Sequence, residues 1–303
     1  MLLNTFEYLK PDGLGEVLRV LDELKQKKTQ VMAGGTDLIP ALRDRSKQPE
    51  YVVDLSGAQL DKVVFEPHQA RIGALVTFAR LCNDTQVWEK LPAVAESAVQ
   101  VGAVQCRNLA TIGGNVCSAV PSLDSAPSLI ALGAKFRLQA KGRERMVPAE
   151  EFFLGPRKSV LEPGEILTEI LVPLEEGFHT AFVRQGRRKA LTLSIVNTAA
   201  GLAGGPGGEI AKARIALGAI APTPIRARKA EAVLVGKKPT PEMLAEAAAV
   251  AVTETSPISD LRASAEYRRQ ITAVLVRRAL ETALARLRGE RGDARAAAMG
   301  GSE

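Results

Sequence analysis

Two glycine-rich runs constrain how this chain can fold. One reads AGGTD at positions 33–37 and the other reads TIGGN at positions 111–115. Each run follows an apolar stretch and precedes a plausible helix start, so each predicts a tight turn between two regular elements. Because glycine has no Cβ and tolerates positive φ, such turns can present a row of backbone N–H groups to an anion.

The two turns together suggest a ligand with two phosphates. One turn of this kind suits one phosphate, and two of them brought together suit the diphosphate of a dinucleotide such as FAD. Neither run is the G-x-G-x-x-G of a Rossmann fold or the G-x-x-x-x-G-K-[ST] of a P-loop. The pair Gly13 and Gly15 is followed by Leu18 where a third glycine would stand. Two ordinary tight turns are the alternative interpretation.

Composition bounds the class of protein. The 303 residues, 46% hydrophobic and 24% charged, are typical of a globular chain with two or three compact units. Three cysteines without C-x-x-C spacing predict reduced thiols in a cytoplasmic protein rather than a disulfide framework. Only two histidines are present, which argues against a histidine-ligated metal centre and against a histidine-driven catalytic triad.

Charge and hydropathy limit the classes of partner that the chain could bind. The net charge is +6, but aromatic residues make up only 4% of the chain and are not interleaved with a basic stretch. This pattern argues against nucleic-acid binding, while leaving a positive patch that could dock an acidic partner subunit. No apolar run is long enough for a membrane span, and the first residues do not resemble a signal peptide.

The hydrophobic pattern predicts three successive units. A small α/β unit extends to about residue 57, with Asp12 expected to cap a helix that carries Leu14, Val17 and Leu21. A second unit of hairpins and short helices extends to about residue 175. Beyond the turn at 173–177 the pattern predicts three antiparallel strands and alanine-rich helices over 178–288. A polar, disordered tail is expected at 289–303.

At this point the sequence resembles a known family. Besides the two glycine runs, it carries PGEIL at 163–167, GRRKA at 186–190, GAIAPTP at 218–224 and SAEYRR at 264–269. In this order, from about residue 4 to residue 287, these motifs resemble the FAD-binding medium subunit of molybdenum hydroxylases. Xanthine dehydrogenase and aerobic carbon monoxide dehydrogenase typify that family.

The resemblance implies an α+β fold and one cofactor. It implies an FAD-binding domain of the vanillyl-alcohol oxidase (PCMH) type over 1–175, built from two subdomains that divide near residue 57. A smaller C-terminal domain of three antiparallel strands and helices, as in the carbon monoxide dehydrogenase flavoprotein, is expected over 178–288. The implied partners are a [2Fe-2S] small subunit and a molybdopterin large subunit, in a dimer of heterotrimers. NAD⁺ or a quinone would accept the electrons.

The resemblance also implies the positions that bind FAD, and neither a catalytic residue nor a metal ligand. Residues 31–37 would line the diphosphate, with the Thr36 hydroxyl assisting, and the second turn would complete the cradle. Leu167 would contact the isoalloxazine side. The implied cofactor-binding residues are Val31, Met32, Ala33, Gly34, Gly35, Thr36, Asp37, Val101, Gly102, Thr111, Gly114, Asn115, Ser118, Asp124, Leu167 and Arg184.

Two of these positions have plain structural alternatives. Asp124 would lie near the adenosine end of FAD, but an aspartate before a helix is also a common N-cap. Arg184 aligns with a position that is often lysine in relatives, where a cation near the ring can stabilise reduced, anionic flavin. A surface salt bridge is the alternative for Arg184.

Three functions remain open from the sequence. The first is an electron-transfer flavin subunit of a three-subunit hydroxylase. The second is a self-contained FAD-dependent oxidase or reductase of the same fold, which would need its own acid–base residues. The third is a scaffold that keeps the fold without the flavin. The intact glycine runs argue against the third, and the scarcity of histidine argues against the second.

Overall fold

The computed structural model describes residues 5–290. Its first unit is a small parallel α/β layer in which the strand order is β1-β3-β2. The elements are β1 (Glu7–Leu9), α1 (Leu14–Glu23), β2 (Thr29–Met32), α2 (Leu38–Arg43) and β3 (Tyr51–Asp54). Val17 and Leu21 of α1 are buried with Val53 of β3, as the helical spacing of apolar residues predicts.

Helix α1 begins differently from the sequence prediction. Its N-cap residue is Gly13, with φ 76°, and no side chain makes a capping hydrogen bond. The prediction that Asp12 caps this helix is therefore wrong. The Gly13 N–H instead donates to the Gly57 carbonyl at 2.9 Å, which ties the start of α1 to the end of the first unit.

The second unit is an antiparallel sheet, in the order β4-β5-β10-β6-β7, covered by six short helices. Phe78, Phe136 and Phe152 are fully buried in its core. Its strands are β4 (Val63–Phe65), β5 (Gln69–Gly73), β6 (Lys135–Ala140), β7 (Arg143–Pro148), the separate hairpin β8 (Phe153–Gly155) with β9 (Lys158–Ser159), and β10 (Ile166–Pro173). Its helices are α3 (Phe78–Asn83), α4 (Thr85–Lys90), α5 (Pro92–Gln100), α6 (Val104–Leu109), α7 (Ile112–Ser118) and α8 (Ser125–Ala131).

The third unit packs three helices on an antiparallel sheet in the order β11-β12-β13-β14. The three predicted strands form most of this sheet, and the two-residue strand β14 extends it. Its elements are β11 (Phe178–Gly186), β12 (Ser194–Gly204), β13 (Ile210–Gly218), β14 (Ile225–Arg226), α9 (Arg228–Leu234), α10 (Pro241–Thr253) and α11 (Ala265–Leu287). The tail predicted for 289–303 lies, from residue 291 on, outside the described residues.

A buried carboxylate joins the second and third units. Glu96 of α5 accepts a hydrogen bond from the Phe182 N–H of β11 at 2.7 Å, and it also pairs with Arg286 of α11. Arg286 donates further to the Thr180 carbonyl. Because Phe182 belongs to the same apolar core as α5, the two units share a continuous interior at this point.

Asp260 fixes the loop that leads into α11. Its carboxylate accepts hydrogen bonds from the backbone N–H of Arg262 at 2.8 Å and of Ala263 at 3.2 Å. It also accepts from the buried guanidinium of Arg268 at 2.9 Å. Desolvation raises the pKa of Asp260, but these hydrogen bonds outweigh it and lower the pKa to about 2.

We expect Asp260→Asn to reveal an acid-sensitive contribution to stability. The pKa is lower in the folded chain than the ordinary 3.8, so the carboxylate stabilises the fold above about pH 4. That contribution is lost as the pH falls towards 2. Thermal unfolding should show the variant less stable near neutral pH, by about 1–3 kcal/mol, and the difference should shrink below pH 4. The exposed Asp61→Asn serves as the control, and a difference independent of pH would contradict the assignment.

Candidate cofactor-binding site

The first glycine turn presents free backbone donors. Within residues 5–290, the N–H groups of Gly34, Gly35, Thr36 and Asp37 donate to no other protein group. Gly35 has φ 71°, a conformation that side chains other than glycine rarely adopt. The turn lies between β2 and α2 and is only partly buried, so its N–H groups can reach an anionic ligand.

The two turns lie against each other. A Cβ placed on Gly34 would come within 1.8 Å of the Leu109 carbonyl oxygen, which belongs to the end of α6 just before the second turn. A Cβ placed on Gly114 would lie 3.7 Å from the Cβ of Ala33. The structure therefore brings together residues 33–37 and 111–115, as a diphosphate cradle requires.

The second turn differs from the sequence prediction in its backbone. The N–H of Ile112 donates to Val76 and that of Gly113 to Ala74, both at 2.9 Å. The Gly114 N–H donates to Oγ1 of Thr111 at 3.1 Å, and the Asn115 N–H donates to the Thr111 carbonyl. The expectation that this turn presents a row of free N–H groups is therefore wrong, because these donors already have partners within the fold.

The second turn instead offers a side-chain donor. Oδ1 of Asn115 accepts a hydrogen bond from the buried Ser125 hydroxyl at 2.6 Å, which leaves the Nδ2 donors available to a ligand. The Ser118 hydroxyl donates to the Asn115 carbonyl at 2.7 Å, so Ser118 acts on the turn itself. Thr111 caps α7 through Gly114 and is buried.

Other predicted positions surround this pair of turns less directly. Val101 follows α5, and Gly102, with φ 53°, accepts a hydrogen bond from the Leu191 N–H at 3.2 Å. Leu167 is 3% exposed and belongs to the core of the second unit. Its N–H faces the Cys117 thiol, whose pKa burial raises to about 12. The Val31 side chain, with Pro163 and others, lines a separate cavity of about 240 Å³.

Asp124 and Arg184 form a buried ion pair at 3.0 Å, with side chains 8% and 5% exposed. Asp124 occupies the N-cap position of α8, yet its side chain makes no capping hydrogen bond. Its Oδ1 accepts from the Ser194 hydroxyl at 2.5 Å and from Nδ2 of Asn197 at 2.8 Å. Both alternatives drawn from the sequence, a plain cap and a surface salt bridge, are therefore wrong.

Opposing effects act on the Asp124 carboxyl. Burial raises its pKa above the ordinary value, and the Arg184 charge and the Ser194 and Asn197 hydrogen bonds oppose that rise without cancelling it. Three donors converge on the two oxygens. A proton on the carboxyl would displace at least one of them.

The sequence analysis did not identify the residues that hold Asn115, Asp124 and Arg184 in place. Ser125, Ser194 and Asn197 each make a hydrogen bond to a predicted site residue, and Gln100 accepts from Nε of Arg184 at 3.0 Å. Ser194 and Asn197 lie about 70 residues from Asp124 along the chain, so no local motif joins them. Within residues 5–290, no group of three histidine, cysteine or carboxylate side chains could hold a metal ion.

We expect Gly34→Ala to abolish retention of FAD. An added methyl group would overlap the Leu109 carbonyl, and since that atom is backbone, the two turns must separate. The apparent Kd for FAD should rise at least tenfold, which corresponds to about 1.4 kcal/mol. Flavin absorbance after gel filtration, with circular dichroism to verify folding, measures the effect.

Gly15→Ala is the matched control for that substitution. Gly15 lies on the exposed side of α1, and an added Cβ there meets no atom within 4 Å. Replacing a helical glycine by alanine should stabilise the chain by about 0.5–1 kcal/mol without changing FAD content. Full FAD retention by Gly34→Ala would show that the two turns do not form the cradle.

Comparisons with known proteins agree with this geometry. Residues 4–175 match the model of the FAD binding domain in molybdopterin dehydrogenase, and residues 181–283 match that of the carbon monoxide dehydrogenase flavoprotein C-terminal domain. The glyceraldehyde dehydrogenase medium chain of Sulfolobus acidocaldarius is 32% identical over 91% of this chain and 97% of its own length. The carbon monoxide dehydrogenase medium chain of Afipia carboxidovorans is 33% identical over 94% and 99%.

Solved structures are similar over the same span. Carbon monoxide dehydrogenase from Hydrogenophaga pseudoflava superposes with a TM-score of 0.89 at 34% identity, over 94% of this chain and 99% of that one. Quinoline 2-oxidoreductase from Pseudomonas putida 86 gives a TM-score of 0.88 at 30% identity, over 95% and 99%. With both domain models in order and whole-length relatives, the chain belongs to the FAD-binding medium subunits of the molybdenum hydroxylases, and it is an oxidoreductase subunit whose cofactor is FAD.

Proposed function

We propose that this chain is the electron-transfer subunit of its complex. It receives electrons from the [2Fe-2S] clusters of a partner subunit and passes them through FAD to NAD⁺, a quinone or another acceptor. FAD supplies the ability to exchange electrons either singly or in pairs when it is bound. The chain itself binds the cofactor, orients it and sets the charge around it.

One observation carries this proposal. Relatives named for glyceraldehyde, carbon monoxide and quinoline share this subunit over nearly its whole length. These substrates have little chemistry in common, so a subunit that they share is poorly suited to select among them. What they do share is that oxidation of each substrate releases electrons, and a flavin subunit can pass these electrons to an acceptor.

The proposal extends to the assembly. The organic substrate would be oxidised at a molybdopterin large subunit, and a [2Fe-2S] small subunit would connect that site to the flavin, in a dimer of heterotrimers. We propose FAD-binding subdomains over 1–57 and 58–175 and a C-terminal domain over 178–288. The three cysteines, free in the structure, suit a cytoplasmic location. Among the described residues, no helix is long and apolar enough to cross a membrane.

A self-contained flavin oxidase or reductase is the competing function. It would need an acid–base pair beside the flavin ring. Arg184, the charged residue predicted near the ring, is paired with Asp124, whose carboxylate also accepts hydrogen bonds from Ser194 and Asn197. Because an arginine stays protonated near neutral pH, this pair does not suit acid–base catalysis, but it can stabilise a charge on the flavin.

We expect the isolated, FAD-loaded chain to oxidise no hypoxanthine, aromatic aldehyde or carbon monoxide with an artificial acceptor. It should still pass electrons from NADH to a dye if NAD⁺ is the natural acceptor. The same assays on the complex purified with its partner subunits provide the positive control. Turnover of any of the three substrates by the isolated chain would establish the self-contained flavoenzyme instead.

We also expect Arg184→Gln to lower the midpoint potential of bound FAD. The substitution keeps a side chain of similar length but removes the positive charge that favours a reduced, anionic ring. Spectroelectrochemical titration measures the potential. Arg228→Gln removes the same charge from an exposed ion pair with Glu150 and should leave the potential unchanged. An unchanged potential in Arg184→Gln would place Arg184 away from the ring.

A further inference from the structure

Both oxygens of the Asp124 carboxylate accept hydrogen bonds from the third unit. Arg184 occupies Oδ2 at 3.0 Å, while Ser194 and Asn197 both occupy Oδ1. All three partners belong to β11 and β12 of the third unit, whereas Asp124 begins α8 of the second unit. The carboxylate is therefore directed at the third unit rather than at the glycine turns.

Arg184, in contrast, keeps one nitrogen open. Nε donates to Oε1 of Gln100 at 3.0 Å, and Nη1 donates to Asp124 and to the Thr192 carbonyl at 3.1 Å. The structure gives Nη2 no hydrogen-bond partner among residues 5–290, and Nη2 is not among the enclosed side-chain atoms that lack one. Because the other two nitrogens are held, the direction of Nη2 is fixed and open to a ligand.

The pair lies beside both parts of the proposed cofactor site. Gln100 ends α5 immediately before Val101 and Gly102. On the other side, Ser125 follows Asp124 directly and holds the Asn115 amide of the second turn. Arg184 is thus connected to Val101 through one hydrogen bond and one peptide unit, and to Asn115 through two hydrogen bonds and one peptide unit.

We infer that Asp124 is a positioning residue that acts on bound FAD through Arg184, rather than a ligand of the adenosine end. It orients the guanidinium so that Nη2 faces the flavin, and its negative charge offsets part of the attraction between Arg184 and the reduced ring. This inference rests on the proposed function, since it requires a redox-active flavin beside the pair.

The sign of the effect follows from the two charges. With Asp124 ionised, the net charge of the pair is close to zero, so the pair stabilises the reduced ring only weakly. An asparagine at position 124 keeps an oxygen that accepts from Nη1. Its NH2 group can donate to the Ser194 hydroxyl oxygen, and to Asn197 once that amide turns its oxygen inward, while the offsetting charge is removed. The positive charge of Arg184 then acts on the flavin without that offset, which favours reduction.

Asp124→Asn tests the inference through two measurements on the full chain loaded with FAD. The midpoint potential should shift to more positive values, while the Kd for FAD should stay within about threefold of the unsubstituted chain. The shift should be smaller when Asp124→Asn is made in an Arg184→Gln background, because a buried carboxyl without its cation takes up a proton and has no charge for the substitution to remove. Glu150→Gln removes the same charge from an exposed pair and should change neither quantity.

Several results would overturn the inference. FAD binding weakened more than about tenfold at an unchanged potential would make Asp124 a direct cofactor ligand. An equal shift in the presence and absence of Arg184 would show that Asp124 acts on the flavin independently. A native chain that binds no FAD at all would instead contradict the cofactor itself, so the two failures are distinguishable.

Ser194→Ala provides a second test should Asp124→Asn fail to fold. It removes one donor from Oδ1 of Asp124 and leaves every formal charge in place. The less shielded carboxylate should offset Arg184 more strongly, so the potential should shift in the negative direction. A potential equal to that of the native chain in Ser194→Ala would contradict the proposed coupling.

Discussion

The cofactor cradle depends on the close contact between Gly34 and the backbone at Leu109. Only a residue without a side chain lets the turn after β2 lie on the end of α6, since a Cβ would overlap the Leu109 oxygen. This contact holds the first turn, with its free N–H groups, against the second turn, which carries the Asn115 amide. One unit thus supplies backbone donors, the other supplies a side-chain donor, and the ligand would lie across their junction.

Buried charged side chains connect the second and third units. The side chains of Glu96, Asp124 and Arg184 are all buried near the junction of the second and third units, and each has at least one partner across it. Removing one partner from such a group leaves a buried charge unpaired, which is costly. Their arrangement therefore specifies a single relative position for the two units, where apolar packing alone would tolerate small displacements.

The sequence predicted the elements better than their connections. The apolar periodicity of α1 and the positions of the two glycine turns were predicted correctly, because each depends on residues close together along the chain. The start of α1 and the state of the N–H donors in the second turn were not predicted correctly. Gly13 is held by Gly57, and the N–H of Gly113 is held by Ala74, both partners distant in sequence. Asp124 was identified as a site residue, but its role depends on Arg184, Ser194 and Asn197, which no local pattern links to it.

The ion pair between Glu96 and Arg286 also affects the order in which the units of the chain can fold during synthesis. The two residues are 190 positions apart, so the second unit leaves the ribosome long before the helix that completes its interface. Until α11 arrives, Glu96 has no cationic partner there, and the faces of β11 and β12 that pack on α11 stay uncovered. The nascent chain thus has exposed apolar surface and an unpaired carboxylate. Maturation of the flavin subunit therefore ends with its last helix, not with the domain that carries the glycine turns.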